Sequence, residues 1–295
     1  MKAYITQFLN EMNFEKNDSE HILNAYDVIK NNKNANNILQ NAISEYNKKM
    51  DIDWAPVLSG AEEMSRATGV HLYTVYLIII ICLSKKLVDY YVENGISHEI
   101  WHDTMLDFRY KTKECKLIKG VIGIFVPNWY GKFFTLNLFT LGRLQFRINT
   151  LRYDYNKNGV DLKIGDPVVD IHIPRTETPL THEECIDSYN RAKDFFASKF
   201  IDKPMPFVCS SWLLFEENRK LLKENSNILK FMNDFDIIQN KYCELGDYSE
   251  LWRLYDMDYT GSLDDFPEDT SFRRAYKNYL KSGGRFGSAY GIFIK

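Results

Sequence analysis

Residues 168–196 have the sequence VVDIHIPRTETPLTHEECIDSYNRAKDFF. An apolar strand is predicted to end at Pro174, and after a polar turn a long helix is predicted to begin behind Thr181. A hydroxyl residue before an apolar-periodic run, with Glu183 and Glu184 in the first turn, is typical of a helix start. Because backbone N–H groups are unsatisfied at a helix start, this segment is a place where an anionic ligand could bind.

The composition is that of a globular protein. The chain has 295 residues, of which 45% are hydrophobic and 26% are charged, enough for one large domain or two ordinary ones. The formal net charge of −3 shows no basic excess, so we expect no nucleic-acid partner. The five cysteines form no CxxC motif and no Cys/His cluster, so we expect neither a disulfide framework nor a metal site. With no signal-peptide pattern at the N-terminus, the sequence predicts a cytoplasmic location.

The most apolar segment is LYTVYLIIIICL, residues 72–83. It is shorter than the roughly 20 apolar residues that span a bilayer. We therefore predict a buried helix that continues to Gly95, and no membrane span. The β-branched run also fits a strand, and this alternative stays open at the level of the sequence.

The hydrophobic pattern changes near residue 140. Helical periodicity predominates in residues 1–135, which predicts a helical N-terminal domain, whereas strand-like runs alternate with helices in residues 136–295. The run 141–156 alternates as a strand does, and NKNGVD at 156–161 is predicted to be a turn. The sequence thus predicts an α+β chain, in which a mixed sheet flanked by helices follows the helical domain.

Local signals predict further helix boundaries in both halves of the chain. A helix is predicted to start at Asp18, after which the asparagine-rich residues 31–37 form a solvated junction. Near the C-terminus, a helix is predicted over residues 267–281, ended by Gly283 and Gly284.

Asp170 and His172 lie two residues apart in a predicted strand, so their side chains point to the same face of the sheet. Histidine has the intrinsic pKa range of a general base, and a nearby aspartate can tune it. The alternative is a structural histidine on a polar sheet face beside Gln145 and Arg147.

A second predicted strand, PFVCSSWLL at residues 206–214, places Cys209 and Ser211 on one face. Either side chain could act as a nucleophile with a base and an oxyanion donor nearby. The sequence contains no G-x-S-x-G motif and no known cysteine-nucleophile motif, which favours a buried strand with small polar residues.

A basic stripe runs along the predicted C-terminal helix, where Arg273, Lys277 and Lys281 recur at every fourth position. The glycines that follow permit close approach of the backbone, and the cations could hold a phosphate. A solvated basic helix face is the alternative interpretation.

Six motifs of the chain resemble those of one known family. They are, in order, LGRLQF (141–146), DIHIP (170–174), SYNRAKDFF (188–196), CSSWLL (209–214), SNILKF (226–231) and DFPEDTSFRRA (265–275). As an ordered set they resemble the bacterial GNAT-like N-acyltransferases, in which a helical N-terminal domain precedes a GNAT-like C-terminal domain. The resemblance covers the C-terminal half well and the N-terminal half loosely.

The resemblance implies an enzyme that uses acetyl-CoA or another acyl-CoA as co-substrate, bound in a cleft between two splayed parallel strands. It implies that DIHIP and FVCSSWLL are these strands, and that the acyl group passes directly to an amine of a small molecule or peptide. A base, for which His172 is the best candidate, would deprotonate the amine. Backbone N–H groups would hold the oxyanion, and an acid would reprotonate the thiolate.

The resemblance also implies where the phosphate groups of CoA would lie. The candidate residues at this site are Ile173, Arg175, Thr181 and His182, with Arg273 and Lys277 as an alternative phosphate clamp.

The turn between the predicted strand and helix departs from the usual GNAT pattern, R/Q-x-x-G-x-G/A. Residues 175–181 contain no glycine, Glu177 adds a negative charge, and Pro179 removes an N–H donor. A second hypothesis therefore stands beside the enzyme: a catalytically inactive GNAT-derived protein that binds another ligand or a partner.

Overall fold

The computed structural model describes residues 1–157 and 159–294. The chain divides into two compact units, Met1–Phe139 and Thr140–Lys295. The helices of the first unit are α1 (Lys2–Glu11), α2 (Lys16–Asn31), α3 (Lys33–Lys49), α4 (Trp54–Thr68), α5 (Leu72–Glu93), α6 (His98–Lys119) and, after a 3₁₀ turn at Pro127–Tyr130, α7 (Gly131–Phe134).

The apolar segment of the sequence forms the most buried helix of the first unit, α5. Its residues 75–83 are all buried, as expected for a helix that is hydrophobic on every side. The helix ends at Glu93, and Gly95 follows with φ +68°. This confirms the predicted buried helix, and the strand alternative is wrong. In the described part of the chain, no helix is long and apolar enough to cross a membrane.

Two helix boundaries in this unit differ from the prediction. The helix predicted to start at Asp18 begins at Lys16, because Asp18 is buried in the first turn and accepts a hydrogen bond from Lys116 of α6 at 2.7 Å instead of capping the helix. The predicted junction at 31–37 is reduced to Asn32, whose side chain caps α3. Asp18 has a partner distant in sequence, which local propensity does not reveal. Asn32 instead forms an ordinary helix cap with the Ala35 N–H, so α2 and α3 are separated by a single residue.

The second unit contains the strands and the remaining helices. The strands are β1 (Phe139–Leu141), β2 (Leu144–Thr150), β3 (Tyr155–Lys157), β4 (Val160–Leu162), β5 (Pro167–His172), β6 (Pro206–Ser211), β7 (Asp236–Tyr242) and β8 (Gly287–Ile294). The helices are α8 (His182–Phe196), α9 (Asn218–Leu221), α10 (Asn227–Met232), α11 (Trp252–Tyr255) and α12 (Ser271–Lys281).

Three predicted elements of this unit are shorter than expected. The run 141–156 is divided between β1, β2 and β3, and the strand predicted over 206–214 ends at Ser211, where a 3₁₀ turn begins. The last helix begins at Ser271 because Thr270 caps it. One residue of the predicted 156–161 turn, Asn158, lies outside the described residues.

The main sheet has the strand order β1-β2-β5-β6-β8-β7, and β3 pairs with β4 as a separate hairpin. β5 and β6 are parallel, whereas β2 with β5, β6 with β8, and β7 with β8 are antiparallel. The sheet is therefore mixed, which confirms the predicted α+β class.

The two faces of the sheet are covered differently. On the helix-packed face, Phe207 stacks against Phe293 with ring centroids 5.0 Å apart, and Tyr189 of α8 packs against both. On the opposite face, which we call the hairpin-packed face, residues of the β3–β4 hairpin pack against Val208 and Ile292. Alternation along each strand assigns every side chain of the sheet to one of these faces.

The turn from β1 to β2 is docked on α8. The backbone N–H of Arg143 donates to Ser188 Oγ at 2.7 Å, and Ser188 Oγ donates to Glu184 O at 2.7 Å. Gly142 has φ +76°, and a Cβ atom there would lie 2.7 Å from Ser188 Oγ. The glycine of the LGRLQF motif therefore satisfies both a left-handed backbone and a close approach to the helix.

Replacing Gly142 by alanine is expected to destabilise the protein more than the same change at Gly159. Both glycines have nearly the same left-handed φ, +76° and +77°, but the space beside Gly159 is open. Each alanine should cost about 1 kcal/mol of backbone strain, and Gly142→Ala a further 1–3 kcal/mol, roughly, from overpacking against Ser188. Urea unfolding of both variants measures the difference; equal losses would contradict the docking of this turn on α8.

Candidate functional site

The parallel pairing of β5 and β6 is short. It ends at the pair Ile171 and Cys209, and the next residues are His172 on β5 and Ser210 on β6. Beyond this pair, β6 remains hydrogen-bonded to β8 along its other edge. We call this end, marked by His172 and Ser210, the strand opening.

A row of polar side chains crosses the sheet at the strand opening. In the strand register, Gln145 lies opposite His172, Ser210 lies opposite Tyr290, and Tyr290 lies opposite Gln239. All five residues belong to the hairpin-packed face by alternation, and directly paired residues on one face have Cβ atoms about 5 Å apart. We call these five residues the polar row. They bring the predicted base into a set of groups able to exchange protons and hydrogen bonds.

Asp170 lies one step behind the polar row and joins β5 to β2. Its Oδ2 accepts hydrogen bonds from Arg147 Nε at 2.8 Å and from Asn149 Nδ2 at 2.9 Å, and Arg147 Nη2 lies 2.6 Å away. The carboxylate therefore acts as a clamp between the two strands. Its predicted influence on His172 stays a prediction.

The structure argues against Cys209 and Ser211 as nucleophiles. The side chain of Cys209 is completely buried on the helix-packed face, and burial, helped by the Asp170 charge, raises the pKa of its thiol well above the ordinary value. A nucleophilic cysteine needs the thiolate form and access to substrate. Ser211 Oγ accepts the Leu213 N–H at 3.1 Å and caps the following 3₁₀ turn. In the described residues, no group of three or more His, Cys, Asp or Glu side chains could hold a metal ion.

The turn between β5 and α8 is shaped by an arginine instead of by glycines. Arg143 Nη1 donates to Pro174 O at 3.0 Å, and its Nε donates to Thr178 O at 3.3 Å. Thr181 caps α8 by accepting the Glu184 N–H at 3.3 Å, as predicted from the sequence. Two backbone carbonyls of the turn thus have a fixed direction, which explains how it keeps its shape without glycine.

Arg175, predicted to lie on the phosphate side, contacts Asp256 after α11. The second oxygen of Asp256 lies 2.6 Å from Arg273 Nη2. Partial burial disfavours the charged carboxylate, but the hydrogen bonds and charges of Arg175 and Arg273 outweigh it and hold the pKa of Asp256 below its usual value. Arg175 is thus held at the turn by an internal anion.

The alternative phosphate clamp does not agree with the structure. Arg273 Nε donates to Leu254 O at 2.8 Å, and its Nη1 binds Asp269. Lys277 is only 4% exposed; its Nζ donates to two backbone carbonyls and lies 2.8 Å from Glu268. Both cations hold the segment before α12 in place, so the basic stripe predicted from the sequence is largely internal.

The start of α8 carries its own charges. His182 is partly exposed, with Nδ1 3.6 Å from Asp234 Oδ1, and Asp234 Oδ2 accepts the Tyr189 hydroxyl at 3.1 Å. A hydrogen bond from its own backbone N–H lowers the pKa of Glu183, so an acidic side chain already occupies this helix end. Ile173, the remaining cofactor-site candidate, is partly buried.

Family comparisons agree with this architecture over nearly the whole chain. The model of the GNAT-like C-terminal domain matches residues 138–293, and the model of the N-acyltransferase N-terminal domain matches residues 3–136. The chain belongs to the GNAT-like N-acyltransferase family. The resemblance predicted from the ordered motifs is thereby confirmed. No curated protein sequence is significantly similar to the chain.

Solved structures share the fold of this family member. An acyltransferase mutant in complex with octanoyl-CoA is 21% identical, with 98% of this chain and 86% of that chain covered and a TM-score of 0.75. An acyltransferase in complex with decanoyl-CoA is 20% identical, with 97% and 86% covered and a TM-score of 0.75. An acyltransferase in complex with CoA and 10C-teicoplanin is 18% identical, with 98% and 99% covered and a TM-score of 0.64.

Sequence reasoning placed Gln145 beside His172 without giving it a functional role, and it missed Arg143 and Tyr290. Gln145 and Tyr290 belong to the polar row, and Arg143 shapes the turn after β5. Gln145 and Arg143 both lie in the LGRLQF motif, which was the available signal. Tyr290 carried no signal, because its place depends on the pairing of β8 with β6.

Asp170→Asn is expected to lower the free energy of unfolding by up to roughly 3 kcal/mol, because it leaves the partly buried Arg147 guanidinium without its carboxylate. The matched control is Asp187→Asn on α8, whose ion pair with Arg191 is half-exposed and should contribute less than about 1 kcal/mol. Chemical denaturation measures both. Equal losses would contradict the role of Asp170 as a clamp between β2 and β5.

Proposed function

We propose that the chain is an acyl-CoA-dependent N-acyltransferase that modifies an amine of a small molecule or peptide. The observation that carries this proposal is the strand opening, where the β5–β6 pairing ends beside His172 in a GNAT-like sheet. Acyltransferases of the same fold are known with octanoyl-CoA and decanoyl-CoA, and one contains decanoyl-CoA together with teicoplanin. A cytoplasmic location, a bacterial origin and the absence of a nucleic-acid partner belong to the same proposal.

The donor substrate would lie in the strand opening. Past Ile171 and Cys209, the facing edges of β5 and β6 no longer continue the described ladder, and an extended pantetheine chain can bond to such backbone edges. Its phosphate groups would extend toward the turn that carries Arg175, with Thr181 and His182 at the start of α8. Since Asp256 already binds Arg175, a phosphate would exchange places with this carboxylate or share the guanidinium with it.

The reaction follows from the groups of the polar row. His172 takes a proton from the attacking amine, and the amine nitrogen bonds to the thioester carbon while backbone N–H groups stabilise the oxyanion. The C–S bond then breaks, the amide forms, and the CoA thiolate takes up a proton. Tyr290, which lies opposite Ser210 beside the strand opening, is the candidate hydrogen-bond donor to this thiolate. Burial raises its pKa to about 12, so its hydroxyl stays protonated at neutral pH, and the proton that the thiolate finally takes up can come from solvent.

His172→Ala is expected to reduce acyl transfer by roughly 10²–10⁴-fold, the usual contribution of a positioned base. Release of CoA thiol from decanoyl-CoA is measured with teicoplanin and simple amines as acceptors. His21→Ala, at an exposed position of α2, is the control and should keep the wild-type rate. Full turnover by His172→Ala would remove His172 from the proposal.

The same variants separate binding from chemistry. Decanoyl-CoA at about 100 times its dissociation constant should stabilise wild-type and His172→Ala protein alike by about 2.7 kcal/mol, which a thermal shift detects. No stabilisation of the wild-type protein by millimolar acyl-CoA would overturn the enzyme proposal and favour the inactive, ligand- or partner-binding alternative.

A further inference from the structure

We propose that Asp256 is a displaceable internal anion, which binds the Arg175 guanidinium until a phosphate group of the acyl-CoA donor takes its place. The carboxylate thereby sets the affinity of the protein for its donor. This inference deepens the proposed function and rests on it insofar as Arg175 lies on the phosphate side of the donor site. It can be measured by binding alone, without turnover.

The Asp256 carboxylate bridges two arginines from different elements of the C-terminal unit. Its Oδ1 accepts a hydrogen bond from Arg175 of the turn between β5 and α8, and its Oδ2 accepts one from Arg273 Nη2 of α12 at 2.6 Å. Partial burial opposes the charge of Asp256, but the two guanidiniums hold its pKa below the usual value, so it is ionised at neutral pH. A phosphate group offers oxygens to a guanidinium in the same way as a carboxylate does.

The two ends of this bridge differ in how a ligand can reach them. The side chains of Arg175 and Asp256 are 38% and 22% exposed, whereas that of Arg273 is 15% exposed. Arg273 also donates to Leu254 O at 2.8 Å and pairs with Asp269, so these contacts still hold it when Asp256 moves away. The Arg175 end is therefore the one that a ligand from solvent can open, and a partly exposed ion pair costs little to break.

The charges of this network favour exchange over sharing. It contains two positive and two negative side chains, Arg175, Arg273, Asp256 and Asp269. A phosphate that shared Arg175 with Asp256 would place two anions side by side, which is unfavourable. A phosphate that replaces the carboxylate avoids this repulsion and binds the same guanidinium through charge-assisted hydrogen bonds. Since the carboxylate must first release Arg175, the apparent affinity for the donor is lowered by the fraction of protein in which Arg175 is occupied.

The backbone at Asp256 permits clean substitutions. Asp256 follows α11 with φ +61°, in the left-handed region. Asparagine tolerates this conformation and glycine adopts it readily. Asp256→Asn and Asp256→Gly therefore both remove the carboxylate without adding backbone strain, and two variants of different size are expected to fold.

The direct test is titration calorimetry of the full chain with CoA, which binds without reacting. Asp256→Asn and Asp256→Gly should each raise the affinity for CoA about tenfold, the size expected for removing one negative charge beside a phosphate at a protein surface. The matched control is Asp269→Asn, which removes the same charge from Arg273 and leaves Asp256 on Arg175. Because charges at a greater distance are screened, it should change the affinity by less than about twofold.

Three results of this titration would overturn the inference. One is an unchanged or lower affinity for CoA in folded Asp256→Asn and Asp256→Gly, which would give the carboxylate a purely structural role. Another is an equal gain in Asp269→Asn, which would show a general effect of charge. The third is a gain from Asp256→Asn that persists in the Arg175→Met background, where none is expected because the carboxylate acts through that guanidinium.

S-decanoyl-pantetheine, which keeps the acyl chain and lacks the phosphate groups of the donor, provides a further control. Asp256→Asn should not improve its binding, and a gain equal to that for CoA would overturn the inference.

The same measurements separate the role of Asp256 from the proposed function. If wild-type protein binds CoA but transfers no acyl group to any amine, the proposed enzyme fails, and the affinities of the variants still decide the role of Asp256. If acyl transfer occurs while Asp256→Asn leaves the affinity for CoA unchanged, the proposed function stands and the inference fails. If neither wild-type protein nor Asp256→Asn binds millimolar CoA, both fail.

Discussion

The C-terminal unit depends on the point at which β5 and β6 stop pairing, after Ile171 and Cys209. Backbone N–H and C=O groups that leave a ladder inside a protein need other partners. β6 keeps β8 along one edge through Ser211, so the backbone that faces β5 is the part that can receive a ligand. A pair of parallel strands held together at one end and open at the other gives a GNAT-like sheet its cleft.

The polar groups of the unit are arranged around that opening. Asp170 joins β5 to β2 directly behind His172, and Arg143 holds the carbonyls of the turn that follows. These contacts hold the edge of β5 that faces β2. The opposite edge, which faces β6, leaves the β5–β6 ladder after Ile171. Gln145 lies opposite His172 at the level of the opening, on the same face of the sheet. This side of β5 is therefore held by β2 together with Arg143 of the LGRLQF motif.

Local signals were sufficient for much of the fold. The cap at Thr181 and the apolar run of α5 specify their helices with residues close in sequence, and both predictions were confirmed. Residues with distant partners were misjudged. Asp18 binds a lysine of α6, and Lys277 enters the protein to reach backbone carbonyls of a preceding loop. Periodicity assigns a charged residue to solvent unless its partner is known, so the sequence alone makes the basic stripe of α12 a candidate for phosphate binding.

Hydrogen–deuterium exchange with and without decanoyl-CoA tests the central claim most directly, because it reports backbone protection at the strand opening itself. The account predicts slower exchange on binding in peptides that cover residues 172–181 and 209–213. The β3–β4 hairpin, which packs against one face of the sheet, should exchange at the same rate in both states. Binding of decanoyl-CoA that protects other segments, with no change at the strand opening, would contradict the account.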